Sequence, residues 1–360
     1  MSMGWMSRTL DRVMRHVLGI PGALLEWLDG GPASVCGEGP DDVADIIRSR
    51  GRCVEAYLGL EPGLQYHHFE GSVLAWQRRA RTAFGIGGLN VPSHQKQALL
   101  EDFLDATKRV GIRRTLVFPL RQPERIAAER AGVQLIQVGV EAWIDLAGFS
   151  LRGRRMERLR QMDNRARRRG VTVREVSPND LMNSALAEQL AEVHERWLER
   201  RRPAWRMRLL VGSPSLDRPW GRRYLVASKE GSVEAFMTLV PGGDGEWGVD
   251  VMCRRPSATA GVMERLITDA AERLQQEGAV RLSLGPCPMA GIKVDDGRPW
   301  LSWFFRQLYG SAWGNALFGF RNLHAFKAKF RPRWEPVWFG ASPSLGVLAL
   351  YRGCRMWGLL

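Results

Sequence analysis

The chain of 360 residues lacks the paired cysteines that would staple a small fold or hold a zinc ion. Its five cysteines, Cys36, Cys53, Cys253, Cys287 and Cys354, are scattered and odd in number, with no C-x-x-C pair. That argues against a disulfide scaffold and fits a reducing compartment. No H-E-x-x-H zinc motif and no Walker-type phosphate loop occurs, so neither a metal nor a nucleotide of that class is expected. Long apolar runs are missing too. No stretch reaches the roughly 18–20 uncharged apolar residues that a membrane-spanning helix needs, and Arg12, Arg15, His16 and Glu26 interrupt anything resembling a secretory leader. Acidic residues are scarce beside basic ones: 38 Asp+Glu face 52 Lys+Arg, a net charge of +14. Such a field favours polyanions, namely nucleic acid, anionic lipid or an acidic small molecule, although a merely solvated basic surface gives the same count.

What is present is globular in kind. At 45% hydrophobic and 25% charged residues, without low-complexity tracts, the chain can bury substantial cores, and its length predicts two domains. Both ends have interfacial character. Trp5, Met6, Leu10, Val13, Met14, Val17 and Leu18 fall at helical spacing opposite Arg8, Arg12 and Arg15, and Leu345 to Leu360 is apolar apart from Arg352 and Arg355. A helix of either kind lies in a membrane surface or packs on its own domain; the two readings are equally open.

The second half reads clearly. Tyr224–Ser228 and Val233–Val240 are expected strands joined at a Lys229-Glu230-Gly231 turn. Trp247, Val249 and Val251 alternate with Gly248, Asp250 and Met252, giving a third strand with one buried face. Met263, Leu266, Ile267, Ala270, Ala271 and Leu274 form the apolar stripe of a helix that Gly278 ends, and Val280, Leu282 and Leu284 begin another strand. The first half repeats the rhythm loosely, with expected strands at Val54–Leu58, Val73–Trp76, Thr82–Ile86, Thr115–Phe118, Val133–Val138 and Glu141–Asp145, and helices near Gln95–Val110 and Glu124–Ala131. Between the halves, Arg152 to Arg169 holds nine arginines against Glu157 and Asp163, with Met156, Leu159, Met162 and Ala166 as a narrow apolar stripe. This predicts a helix docked on one side with arginines fanned over the rest, suited to phosphates.

Four stretches in order resemble the soluble C-terminal domain of the lysyl- and alanyl-phosphatidylglycerol synthases. The first is Glu141-Ala-Trp-Ile-Asp145, with Phe149-Ser-Leu-Arg-Gly153, Leu159-Arg-Gln161 and Asn164-Arg-Ala166. The second is Val249-Asp-Val-Met252 with Arg254-Arg-Pro256 and Gly261-Val-Met263; the third is Ser283-Leu-Gly285 with Pro288. The fourth is Phe320, Leu323, Phe326-Lys327, Lys329-Phe330, Pro332 and Trp334-Glu-Pro336. The resemblance runs from about residue 35 to the end. It implies an α/β fold of two tandem acetyltransferase-like (GNAT) domains, each a mixed sheet flanked by helices, without the family's membrane flippase domain. The expected divisions are an amphipathic segment 1–30, a first domain 31–150, a basic linker helix 151–175, a catalytic domain 176–340 and an apolar helix 341–360.

The reaction implied is transfer of an aminoacyl group from aminoacyl-tRNA to an anionic phospholipid such as phosphatidylglycerol, in the cytoplasm or at the inner face of the membrane. Ester exchange needs orientation, a proton acceptor and oxyanion stabilisation more than a covalent nucleophile. The resemblance places Asp250 as base or anchor for the donor's α-ammonium, and Lys327 at a phosphate or the developing oxyanion. Arg254, Arg255, Cys253, Arg321, His324 and Lys329 are the expected substrate contacts, and Arg154, Arg155, Arg158, Arg165, Arg167 and Arg168 the tRNA contacts. Cys253 and His324 stand where the family has Arg, and Asn322 where it has Gly, which leaves a non-lipid acceptor as an alternative. A non-enzymatic RNA- or membrane-binding module is a third reading. No cofactor is expected: in Arg255-Pro-Ser-Ala258-Thr-Ala260, the turn that cradles coenzyme A in ordinary acetyltransferases has lost a glycine to Ala258 and a backbone donor to Pro256. Glu141 is expected to pair with the linker arginines, His67 and His68 to sit at a strand edge or in the core, and His194 and Trp197, on a helix over Ala187–Arg201, to line the cleft, with core packing the favoured reading for Trp197.

Overall fold

The structure, a computed structural model, describes residues 40–51, 53–182, 184–200, 212–293 and 320–356. The expected amphipathic segment 1–30 lies outside them.

The first half opens with helix α1 (Pro40–Arg50) and a 3-10 turn (Val54–Leu60). Three antiparallel strands follow: β1 (Gln65–Phe69), β2 (Ser72–Arg79) and β3 (Thr82–Ile86). Helix α2 (Lys96–Arg109) then crosses over to β4 (Arg114–Leu120), parallel to β3. After α3 (Gln122–Arg130) comes β5 (Gln134–Asp145). The linker is α4 (Glu157–Arg168). In the second half, β6 (Thr172–Val176), α5 (Pro178–Leu181) and α6 (Ser184–Arg200) lead to the antiparallel β7 (Arg223–Lys229), β8 (Ser232–Pro241) and β9 (Glu246–Arg254). Helix α7 (Val262–Gln276) crosses to β10 (Arg281–Pro288), parallel to β9. The chain closes with α8 (Phe320–Ala328), β11 (Arg333–Ser342) and α9 (Val347–Met356).

All strands among the described residues join one 11-stranded mixed sheet, ordered β1-β2-β3-β4-β11-β5-β10-β9-β8-β7-β6. The α/β class expected from the sequence therefore holds. Each half repeats an antiparallel meander, a helical crossover and a parallel strand, but the halves exchange strands at the centre. β5, which follows the first meander, pairs with β10; β11, which follows the second, pairs with β4; and the two pair with each other from Arg333–Trp143 to Ala341–Gln134. The two short strands expected over Val133–Asp145 are thus one 12-residue strand, continuous because it borders both halves.

One expectation is corrected, and one left open is decided. Val54–Leu58 is a 3-10 turn, not a strand, and all of it but Glu55 is buried, so no alternating face exists. It packs against β9 where Gly248 lacks a side chain: a Cβ there would lie 2.5 Å from Val54 Cβ. The C-terminal helix α9 is a packing helix, since Ala349 and Met356 are buried in a core with Phe84, Leu116 and Phe339. No helix among the described residues is long and apolar enough to cross a membrane.

Candidate active site

Parallel pairing of β9 with β10 covers only Glu246–Gly248 against Arg281–Ser283. Past these pairs β10 keeps to β5, with a register shift between Ser283 and Pro286, and the sheet splits. Lys327 enters the split from α8 and is 4% exposed. Its Nζ donates to the carbonyl oxygens of Gly285 at 2.9 Å and Pro286 at 3.0 Å. A Cβ on Gly285 would stand 3.6 Å from that Nζ and 4.0 Å from the Val249 carbonyl oxygen, so Gly285, at φ +80°, keeps the gap between the strands open.

The irregular turn of β10 is held from below. The Ser283 hydroxyl accepts the Gly285 N–H at 2.8 Å and donates to the Glu141 carboxylate. Glu141 is fully buried and takes two bonds from Arg121, at 2.9 and 3.1 Å, while Arg121 also reaches Glu55 at 2.7 Å. Glu141 therefore pairs with Arg121 and not with the linker arginines. Burial pushes the Glu55 carboxyl up to about 8, with Arg121 pulling it down and Glu141 pushing it further up. Trp143 sits beneath two guanidinium groups, Arg281 at 4.0 Å and Arg121 at 4.8 Å from its ring centre.

Asp250 stands on the other strand of the split. β9 carries a bulge there: Leu239 pairs with Val249 and Met237 with Met252, so Asp250 and Val251 share Thr238. The Thr238 hydroxyl accepts the Val251 N–H at 3.0 Å. The bulge reverses the alternation read from the sequence. Trp247, Val249 and Met252 pack with α4 and α7, whereas Val251 and Cys253 pack with α6. Asp250 accepts from Arg222 Nε at 2.8 Å, in a pair whose side chains are 5% and 1% exposed. The guanidinium lies 5.0 Å from the Tyr57 ring centre and 5.7 Å from that of Trp220, and its Nη1 is buried without a hydrogen-bond partner. A Cβ on Gly212 would fall 2.3 Å from Asp250 Oδ1, so only glycine allows the chain to pass over the carboxylate. Burial raises the Tyr57 hydroxyl, which Arg222 and Arg48 partly offset.

Arg222 was invisible as a site residue in the sequence. Strand register is the signal that finds it: Arg223 pairs with Leu239 and Leu239 with Val249, which puts residue 222 two strands from Asp250. The segment leading to it is clamped by the first half. Glu61 accepts the Ser213 N–H at 2.7 Å, Asp41 accepts from Trp220 Nε1 at 2.9 Å and from Arg218 at 3.0 Å, and Tyr57 donates to the Trp220 carbonyl at 3.2 Å. A cleft of about 420 Å³ lies on its outer side, lined by Leu60, Pro62, His194, Ser213, Asp217 and Trp220.

The other expected substrate contacts divide. His324 stacks on Trp334, with ring centres 4.4 Å apart and planes 18° apart, one turn of α8 before Lys327. Arg321 and Arg254 are exposed. Cys253 is fully buried in the α6 core, so packing withdraws it from any ligand. Arg255 is committed to the Val233 carbonyl and the Glu192 carboxylate, and Lys329 to Glu264 at 2.8 Å; both tie elements together. On the linker, Arg154, Arg155, Arg158, Arg165, Arg167 and Arg168 are all exposed, with Arg167 paired to Asp163 at 2.8 Å. His67, on the edge strand β1, bonds Asp102 at 2.9 Å, and Trp197 packs on the α6 core.

Coenzyme A does not fit the turn before α7. Glu234 already accepts the Thr259 N–H at 3.0 Å and its hydroxyl at 2.9 Å, placing a carboxylate where a pyrophosphate would need donors. At Gly261, φ +95°, a Cβ would meet the Met162 carbonyl oxygen at 2.2 Å, so α4 presses on the N-terminus of α7.

Comparison with known proteins bears on the fold and the family. The chain is 24% identical over 302 residues to a phosphatidylglycerol lysyltransferase of Bacillus subtilis, a match covering 82% of this chain and 34% of that protein. It thus spans about a third of that relative's length. Two solved structures share the fold, each with a TM-score of 0.71. One is the C-terminal domain of a putative lysylphosphatidylglycerol synthetase from Agrobacterium fabrum, at 22% identity over 88% of this chain and 95% of that one. The other is L-PGS from Bacillus licheniformis, at 19% identity over 90% and 98%. The sequence model of one family matches residues 55–340, the whole span from the Tyr57 clamp to β11, and the chain belongs to that family, described as phosphatidylglycerol lysyltransferase, C-terminal.

Proposed function

We propose that this chain transfers an aminoacyl group from aminoacyl-tRNA to the glycerol hydroxyl of phosphatidylglycerol at a membrane surface. The observation that carries the reading is the split between β9 and β10, bordered by Asp250 and Lys327 within a match to the transferase family. The donor ester is already activated, so the chain's task is to position the two substrates and stabilise charge. Lys327 supplies a positive charge in a buried, water-poor gap, where a developing oxyanion is stabilised far more than in water. Arg222 and Asp250 fix the opposite wall. The exposed arginines of α4 hold the polyanionic tRNA.

Incubation of the purified protein with tRNA carrying radiolabelled amino acids and with phosphatidylglycerol vesicles tests the reading. Label is expected in the lipid extract. Label confined to the aqueous phase, or none transferred from any charged tRNA, would refute it.

A further inference from the structure

We infer that two basic turns at one end of the sheet are the surface by which this chain docks on an anionic bilayer. The inference rests on the reading of transfer to phosphatidylglycerol and deepens it, by naming the face that meets the lipid.

The first turn joins β2 to β3 and reads Arg78-Arg79-Ala80-Arg81. The second joins α2 to β4 and reads Lys108-Arg109-Val110-Gly111-Ile112-Arg113-Arg114. Strand pairing holds them together: Thr82 lies opposite Arg79 in one ladder and opposite Arg114 in the other. The backbone N–H groups of Arg113 and Arg114 both donate to the Arg81 carbonyl, at 2.9 and 3.2 Å. Arg352 of α9 joins the group, its Nη1 donating to the Thr82 hydroxyl at 2.6 Å.

Few acidic groups offset this charge. The sequence has no Asp or Glu from Gly71 to Leu100, from Ala106 to Pro123, or after Glu335. Nearby carboxylates come from α2, where Asp105 pairs with Lys108 at 3.0 Å and Asp102 with Arg109 at 3.9 Å. Both pairs stand largely in water and are screened. Arg81 and Arg113 are exposed. A fixed cluster of this size is what an anionic lipid surface attracts.

Strand directions favour a bilayer over tRNA as the occupant. β4 runs antiparallel to β11, β11 to β5, and β5 to β10. The N-terminal end of β4, with its arginines, and the C-terminal end of β10, where the β9–β10 split opens, therefore lie at the same end of the sheet. Three strand steps separate them, about 15 Å. A bilayer held by the arginines lies across the mouth through which a headgroup reaches Lys327. The α4 arginines assigned to tRNA begin at the opposite end: Arg331, just ahead of β11, donates to the Arg155 carbonyl at 3.4 Å. Val110 points the same way. It is 54% exposed amid the basic residues, and a headgroup layer would bury it where a phosphate backbone offers it no apolar partner.

The test is sedimentation with vesicles, using Arg81→Ala/Arg109→Ala/Arg113→Ala, which alters exposed side chains only. Wild type is expected to sediment with vesicles of phosphatidylglycerol mixed with phosphatidylcholine, and to stay in solution with phosphatidylcholine alone. The triple variant should bind the mixed vesicles about 100-fold more weakly, about fivefold for each arginine. Its affinity for charged tRNA should be unchanged, and its turnover on dispersed short-chain phosphatidylglycerol kept. Lysine at the same three positions should restore vesicle binding, since the attraction is to charge and not to shape. A triple Ala variant that binds mixed vesicles within twofold of wild type would overturn the inference and leave the transferase reading intact. A tRNA affinity that falls in proportion to vesicle binding overturns it too, because the surface would then belong to RNA. A wild type that docks through these arginines yet labels no lipid removes the transferase reading and leaves the docking surface standing.

Discussion

At the scale of single residues, the Asp250–Arg222 pair is both a cost and a constraint. Two charges are withdrawn from water with side chains 5% and 1% exposed, and removing one leaves the other buried and uncompensated. Asp250→Leu or Arg222→Met should each destabilise by about 3–5 kcal/mol, whereas the double variant should recover much of that loss because an apolar pair has no charge to desolvate. Activity should remain lost in all three. Urea unfolding beside the vesicle assay checks this; a double variant destabilised by the sum of the two single variants would show that the pair is not coupled. Lys327→Met removes the two bonds to Gly285 and Pro286 and the charge in the split, and should lower kcat about 100- to 1,000-fold with little effect on tRNA affinity. Glu55 gives a pH dependence. Its carboxyl is raised from 4.5 to about 8 in the folded protein, so the folded state holds a proton that the unfolded state has released. Stability must therefore fall as pH rises from about 4.5 towards 8 and level off above. Glu55→Gln removes that slope, so thermal unfolding at pH 5.5 and 8.5 should show the variant gaining on wild type at the higher pH. An unchanged difference between the two pH values would mean that Arg121 keeps Glu55 ionised throughout.

At the scale of elements, α4 does two things. Its apolar side and Asp163 fasten it to α7 through Arg265 at 3.4 Å and the Met162–Gly261 approach, and its exposed side presents the arginines. Arg154→Ala/Arg155→Ala/Arg158→Ala should weaken charged-tRNA binding and flatten the plot of log affinity against log salt by about 2, since each phosphate no longer neutralised takes roughly 0.7–0.9 from the slope. Turnover at saturating tRNA should persist. A slope identical to wild type would show that the tRNA binds elsewhere. The helix and its basic face were legible in the sequence because an apolar stripe and nine arginines leave no other arrangement. The meander of β7, β8 and β9 and the crossover to β10 were legible for the same reason, since alternation and a helical stripe are local signals. Features that depend on distant neighbours were not. The bulge at Asp250 depends on two residues sharing Thr238 across a strand pair, which no periodicity within β9 records. Cys253 looked available because the bulge that turns it inward was unseen. Arg222 entered the site through strand register, and Glu141 found Arg121 through the packing of β5 on the first half.

At the scale of the whole molecule, the exchange of β5 and β11 makes the halves interdependent in a way that a division at the linker would not suggest. β11 lies between β4 and β5, bonded to both, and carries Val337, Phe339 and Ala341 into the first-half core. Removing residues 333–360 would therefore not trim the second half. It would leave β4 and β5 as facing edges with unpaired backbone groups and open the core that Phe84, Leu116 and Ile136 share with Phe339. The consequence should reach the site as well, because the Tyr57 ring over Arg222 and the Arg121–Glu141–Ser283 chain beneath Lys327 both start in the first half. The truncated chain is expected to aggregate or to lose cooperative unfolding, and supplying residues 320–360 as a separate peptide is expected to restore part of it by re-forming the β4–β11–β5 pairing. Circular dichroism melts of the truncated chain with and without the peptide decide the matter. A truncated protein that melts cooperatively near the wild-type temperature would mean that β11 is an accessory strand, and that the two halves fold as their order along the sequence suggests.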